Sequence, residues 1–336
     1  MSSAPPADDR PMSGGQPLDV LTVGRVGVDL YPEQSGVPLE QVTSFARSLG
    51  GTATNVAVAA ARWGRRAAVL AKVGPDPFGC YVREALAGFG VDASYVGTSD
   101  DLLTPVVFCA LDPPENPPLL FYRLPQAPDT TISPSDVPWE VIESVPLLWV
   151  TGTGVSVEPA RRTQHEILRR RGRRGHVVLD LDWRPMFWSS IADGRREISA
   201  MLDQVTVAVG NRDEMEVAVG TRDPDTAADL LLDRGISLAV VKLGADGVLV
   251  ATAQGRHVVP GVEVEVLCGL GAGDAFGGAL AHGLLAGWEP LRIAEVANAA
   301  GAYVAGQLAC ADAMPTPDQL DDLLISAGLQ PTGVHA

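Results

Sequence analysis

Short, nearly uninterrupted apolar runs recur along the chain: Asp19–Gly24, Ala67–Val73, Val106–Leu111, Leu147–Thr151, Val177–Leu181, Val205–Val209, Leu238–Leu243 and Val248–Ala251. Runs of this length without polar alternation predict strands buried on both faces. Helix-length segments lie between many of them: Thr52–Trp63, Phe78–Phe89, Glu158–Arg171 and Pro224–Arg234. Strands alternating with helices predict the α/β class, with a mostly parallel central sheet and helices on both faces. The Thr52–Trp63 segment is apolar nearly all round, which predicts a buried helix.

Two segments break the alternation. Residues 25–48 and 103–128 are rich in strand formers and proline and offer no helix. Structureless loops of that length are uncommon in compact domains. The pattern predicts a small β-sheet lid over the mouth of the main sheet, where it would exclude water; two ordinary long loops are the alternative. Residues 1–18 lack the apolar core of a signal peptide and read as a disordered tail before one domain spanning 19–330.

Composition narrows the function classes. Lys and Arg number 25 against 41 Asp and Glu, a net charge of −16. That balance argues against nucleic acid and against an anionic membrane surface, both of which need clustered basic charge. No apolar run reaches the ~18 residues of a membrane span. The cysteines (Cys80, Cys109, Cys268, Cys310) contain no C-x-x-C pair, and the five histidines are scattered. This pattern supports neither a zinc nor a disulfide framework and points to a reducing cytoplasm. Lys72 and Lys242 are the two lysines of the chain.

The sharpest chemistry lies in Val264–Gly287. A strand-like run reaches Cys268; Gly269, Leu270, Gly271, Ala272, Gly273 and Asp274 follow, and a helix begins. Glycines at such a turn let backbone N–H groups converge on an anion, and the helix dipole adds positive character. The same dipole is expected to keep Asp274 ionised and able to accept a proton. An anion cradle beside a carboxylate base suits phosphoryl transfer to a hydroxyl. A tight turn with a capping aspartate fits the same spacing. Gly277, Gly278 and Gly283 in the helix interior predict close packing against sheet or ligand, since each costs ~1 kcal/mol against alanine.

Two further constellations carry polar groups at helix starts. Gly50 and Gly51 precede a helix whose first turn holds Asn55, and Asp29 follows the first strand. Together these suit recognition of a polyol, although Asn55 also fits a cap or a buried structural amide. Asn211 and Glu214 follow Val205–Val209 with the spacing of either a magnesium–phosphate site or a capping box.

In this order the segments resemble the ribokinase-like (PfkB) carbohydrate kinases from about Asp19 to Thr316. The resemblance implies a three-layer ribokinase-like fold. It implies that Asp274 is the catalytic base and that Gly271, Ala272 and Gly273 form the anion hole. It assigns the sugar to Asp29, Gly50, Gly51 and Asn55, the nucleotide to Asn211, Lys242, Gly244, Gly247 and Asn298, and Mg2+ to Glu214 through water. ATP and Mg2+ are the implied cofactors. Residues 24–64 and Asp312–Thr316 resemble members acting on 5-dehydro-2-deoxygluconate. Phe121-Tyr122-Arg123 and Asp182-Trp183-Arg184 resemble segments also found in members acting on 2-dehydro-3-deoxygluconate. Both substrates are keto-deoxy sugar acids, so Arg123 and Arg184 are expected near the carboxylate or the transferred phosphate. Lid strands pairing across a homodimer are a further expectation. Cys268 and Gly269 stand where many members carry an Asp-Thr pair that helps shape a monovalent-cation site in some of them, so the resemblance leaves potassium dependence open.

Overall fold

The structure, a computed structural model, describes residues 17–34, 36–115 and 117–334. Most of the expected tail (residues 1–16) lies outside them, as does His335. Thirteen strands are described: β1 (Val20–Val23), β2 (Gly27–Pro32), β3 (Phe45–Gly50), β4 (Ala67–Val73), β5 (Val96–Thr98), β6 (Val106–Cys109), β7 (Leu119–Tyr122), β8 (Leu147–Thr151), β9 (His176–Asp180), β10 (Val207–Asn211), β11 (Leu238–Lys242), β12 (Val248–Thr252) and β13 (Gly255–Val259). The helices are α1 (Thr52–Arg62), α2 (Pro77–Gly88), α3 (Trp139–Ser144), α4 (Ala160–Arg171), α5 (Ile191–Leu202), α6 (Arg212–Val219), α7 (Pro224–Asp233), α8 (Ala272–Ala286), α9 (Pro290–Ala305) and α10 (Pro317–Ser326).

Nine strands form the main sheet in the order β13-β12-β11-β10-β9-β8-β1-β4-β5. Pairs from β11 through β5 are parallel, and β12 and β13 extend the sheet antiparallel. The pleat sends alternate residues to opposite cores. Val20, Trp149, Val178 and Val209 pack with α1, α8 and α9, whereas Leu21, Val150, Leu179 and Ala208 pack with α4 to α7. Burial on both faces is why these strands read as continuous apolar runs.

The segments that broke the alternation form a second sheet in the order β3-β2-β6-β7. Asp29 pairs in register with Val107, which pairs with Phe121, so one face presents all three. The opposite face of β7 leaves Leu120 and Tyr122 exposed.

One expected strand is absent. Val264–Cys268 joins no sheet; the amides of Leu267 and Cys268 both donate to the Ala305 carbonyl. The alternation is real, but the side chains of Val262, Val264 and Val266 line a cavity instead of packing on a sheet. Two elements carry little local pattern. Edge strand β13 is exposed over four of its five residues, and α3 has only six residues.

The glycine-rich helix α8 packs directly on α1. A Cβ on Gly277 would lie 2.9 Å from the Trp149 ring, and one on Gly278 would strike the Ala59 backbone of α1. Gly278→Ala is therefore expected to destabilise the fold. Overpacking costs about 1–3 kcal/mol, against a helix-propensity gain of ~1 kcal/mol. Urea unfolding checks this; a variant more stable than the parent would refute the close contact.

Candidate active site

The C-terminal ends of the parallel strands are where an open α/β sheet gathers its ligands. Here β1 leads into Arg25, β9 ends at Asp180, β10 at Asn211 and β11 at Lys242, with Asn211 and Lys242 in register. The small sheet lies across this edge and encloses a cavity of about 370 Å3. A second cavity, of about 890 Å3, lies beyond Lys242 against α8 and α9.

The start of α8 lies where the cavities meet. Gly271 caps the helix with φ 80°, a conformation that favours glycine. A Cβ there would also stand 2.9 Å from Cys310 Sγ. The amides of Asp274 and Ala275 donate back to the Gly271 carbonyl, while those of Ala272 and Gly273 find no acceptor among the described residues. Free amides at a helix start form an anion cradle.

Asp274 accepts a 2.7 Å hydrogen bond from Asn55 Nδ2. Its ionisation departs from the dipole-based expectation. Burial raises its pKa to about 6, and the Asn55 bond, Arg184 and Lys242 only partly offset this. Desolvation is the larger effect because protein replaces much of the water around the carboxylate. At pH 7 the carboxylate still predominates, roughly ten to one.

Asn55 is thus both the support of Asp274 and a wall of the first cavity. Its Oδ1 is buried and has no partner among the described residues. Gly50 and Gly51 are needed for close approach. A Cβ on Gly50 would collide with the Asp29 carboxylate, and Gly51, at φ 100°, sits against the Arg25 carbonyl. Asp29 is buried beside them, and burial raises its pKa to about 7.

The arginines of the first cavity are held by carboxylates. The Arg123 side chain is largely buried, pairs with Asp129 at 2.9 Å, and stacks 4.7 Å from the Phe187 ring centre. Arg184 is more open, and its Nε lies 3.2 Å from Asp182 Oδ1 without hydrogen-bond alignment. Asp182 also receives Arg25 Nη2 at 2.9 Å and the Thr153 hydroxyl at 2.7 Å. Burial strips hydration from Asp182, yet Arg25, Arg184 and Thr153 outweigh this and hold its pKa below the usual carboxylate range. Asp182 is the one non-glycine residue with positive φ (34°) among those described.

Asn211 and Glu214 form a complete capping box. Glu214 N donates to Asn211 Oδ1 at 2.9 Å, and Asn211 N donates to Glu214 Oε2 at 2.7 Å. The other Glu214 oxygen accepts from Trp183 N. The box orients both residues into the first cavity, so the two readings of the spacing coincide. Lys242 and Gly244 line both cavities, while Gly247 and Asn298 line only the second. Asn298 Nδ2 donates to the Pro260 carbonyl at 2.8 Å. Among the described residues no group of three His, Cys, Asp or Glu is placed to hold a metal ion.

Arg25 and Asp180 belong to the site without having been singled out from the sequence, and Asp182 entered there only as part of a resembling segment, with no role given. Burial raises the Asp180 pKa to about 8 despite nearby Lys242. The available cue was position: each lies at or just past the C-terminal end of a predicted strand.

Comparison with known proteins agrees with this architecture. Residues 18–317 match the family described as pfkB family carbohydrate kinase. Two relatives named 5-dehydro-2-deoxygluconokinase are similar over nearly the whole chain. That of Geobacillus thermodenitrificans is 29% identical over 321 residues, covering 94% of this chain and 95% of the relative. That of Photobacterium profundum is 31% identical over 318 residues, covering 92% and 95%. Among solved structures, a Vibrio cholerae O395 fructokinase bound to fructose, ADP and calcium superposes with a TM-score of 0.81 at 27% identity, covering 91% of this chain and 99% of that one. Aminoimidazole riboside kinase from Salmonella enterica, complexed with aminoimidazole riboside and an ATP analogue, gives 0.77 at 28%, with the same coverage. The α/β architecture, the site at the strand ends and the family match lead to one conclusion: this chain belongs to the pfkB family of carbohydrate kinases and is a sugar kinase.

Proposed function

We propose that the chain transfers the terminal phosphoryl group of ATP to the primary hydroxyl of 5-dehydro-2-deoxy-D-gluconate, giving the 6-phosphate in myo-inositol catabolism. The observation that carries this reading is the hydrogen-bonded Asp274–Asn55 pair, set beside two free helix-start amides where two cavities meet. The names of the relatives support the choice of sugar. A second reading, 2-dehydro-3-deoxygluconate as substrate, is favoured by Phe121, Arg123, Asp182 and Arg184, which all line the first cavity. Steady-state turnover across a panel of sugars and sugar acids tests both. A neutral sugar turned over best would overturn both.

In this mechanism the sugar occupies the cavity under the small sheet and the nucleotide the larger cavity. Asp29 and the free Oδ1 of Asn55 hold sugar hydroxyls. Asp274 takes the proton of the attacking hydroxyl, and the amides of Ala272 and Gly273 receive the negative charge that develops. Both Glu214 oxygens already accept backbone N–H groups. That donor set fits an ion brought in by the nucleotide and reached through water, not a protein-built cage. Mg2+ bound in this way supplies charge neutralisation to the phosphates. The small sheet excludes water above the reacting hydroxyl.

A sugar acid must find local cations on a protein of net charge −16. Arg184 faces Asp182, Glu214 and Asp274 and is assigned to the phosphoryl side. Arg123, held at the small-sheet end, is assigned to the sugar carboxylate, which a guanidinium binds with two parallel hydrogen bonds.

Three outcomes are expected. Asp274→Asn should lower kcat by about 10²–10⁴-fold with ATP binding retained; near-normal turnover would remove Asp274 from the role of base. The acid limb of kcat/KM should fall as pH drops through about 6, where Asp274 becomes protonated. The Asn55 bond lowers that pKa, so Asn55→Ala should move the limb to higher pH; a stationary limb would show that Asn55 does not hold the base ionised. Arg123→Gln combined with Asp129→Asn avoids leaving a buried unpaired charge. It should cost the sugar acid at least about tenfold in kcat/KM, with little change for its neutral alcohol analogue. Equal losses would place Arg123 elsewhere in the mechanism.

A further inference from the structure

Lys242 stands on the boundary that a phosphoryl group crosses. It ends β11, in register with Asn211 on one side and Val248 on the other. Its side chain lines both the cavity under the small sheet and the larger cavity against α8 and α9. A Cβ built on Gly273 would lie 3.2 Å from its Nζ, so the ammonium sits over the anion cradle itself. It makes no hydrogen bond, and no ion pair within 4 Å, to any described residue. By contrast Arg25, Arg123 and Arg184 each face a carboxylate at 3.2 Å or less.

We propose that Lys242 is a catalytic residue whose ammonium contacts the phosphoryl group during transfer, rather than a group that holds the nucleotide base or its inner phosphates. The surroundings explain why a cation stays there without a direct partner. Asp180, Glu214 and Asp274 together outweigh its loss of hydration and keep it charged. All three N–H donors are therefore available to an incoming anion. A lysine suits a moving group better than an arginine, because its compact charge sits on a flexible stem and does not impose a planar fork. In the transfer, a bond forms between the sugar hydroxyl oxygen and the terminal phosphorus, and the bond from that phosphorus to the bridging oxygen breaks. The hydroxyl proton passes to Asp274, and the nucleoside diphosphate leaves with the bond electrons. Charge spread over the transferred group's oxygens is what the ammonium stabilises.

The inference rests on the kinase reading with Asp274 as base and does not depend on which sugar is used. The first test exploits the lysine content of the chain: Lys72 and Lys242 are its two lysines. Lysine labelled at Cε and Nζ gives two side-chain signals, assigned with Lys72→Arg. The Lys242 signal should shift strongly on adding Mg2+ with a non-hydrolysable ATP analogue, and little with Mg2+ and ADP. Equal shifts with both nucleotides, or none with the analogue, would overturn the proposal. The second test is calorimetry on Lys242→Met. Affinity for the triphosphate analogue should fall about tenfold or more while that for ADP changes less than about threefold. Its kcat, measured with whichever sugar the parent turns over, should drop about 10²–10³-fold, the loss typical of removing one charge-stabilising donor. Lys242→Arg should recover part of the preference for triphosphate. Equal weakening of ADP and analogue, or undiminished kcat, would count against the contact. If no keto-deoxy sugar acid is turned over, the substrate reading fails while the two nucleotide contrasts still decide the role of Lys242.

Discussion

The site depends on one partly buried hydrogen bond, that between Asn55 and Asp274. A carboxylate removed from water drifts toward its protonated form, which cannot act as a base. The amide opposes that drift, but only if it is held rigidly in place. Both residues lie on the first turns of buried helices. Those helices approach closely because α8 presents Gly277 and Gly278 where α1 presents Val56 and Ala59. Packing of α1 on α8, within a turn of the pair, therefore holds the amide that opposes protonation of Asp274.

The second constraint is charge balance in a confined space. The first cavity gathers Asp29, Asp180, Asp182, Asp274 and Glu214 with Arg25, Arg123, Arg184 and Lys242. Burial raises the pKa of Asp29, Asp180 and Asp274, while Asp182, beside two guanidinium groups, keeps its charge. The result is a graded set of carboxylates: three have pKa values raised toward neutral pH, and one is held below the usual carboxylate range. An anionic ligand meets this local arrangement and not the net charge of the chain, which salt screens beyond ~8–10 Å.

The small sheet and the main sheet divide the work. Strand ends of the main sheet supply charge, and helix starts supply free amides. The small sheet supplies Asp29, Val107 and Phe121 on one face and closes the cavity from above. Glycines at positions 50, 51 and 271 let backbone and carboxylate come closer than any other residue would allow.

The class of the fold, the strands buried on both faces and the existence of a second sheet were legible in the sequence, because burial writes its period directly into the chain. So were the helix-start glycines, since backbone geometry demands that residue type there, and with them the helix starts that carry Asn55 and Asp274. The Val264–Cys268 run showed the limit of that reasoning: alternation reports which side chains avoid water, not whether a sheet or a cavity receives them. The Asp274 ionisation was legible only in part. The helix dipole is a local property, whereas the desolvation that outweighs it comes from elements folded over the site. The same is true of Arg123, which the sequence leaves free and the fold pairs with Asp129, and of Arg25 and Asp182, 157 residues apart in the chain. Ion pairs between distant segments leave no period and no spacing in the sequence; they exist only because tertiary packing brings the charges within a few ångströms and removes the water between them.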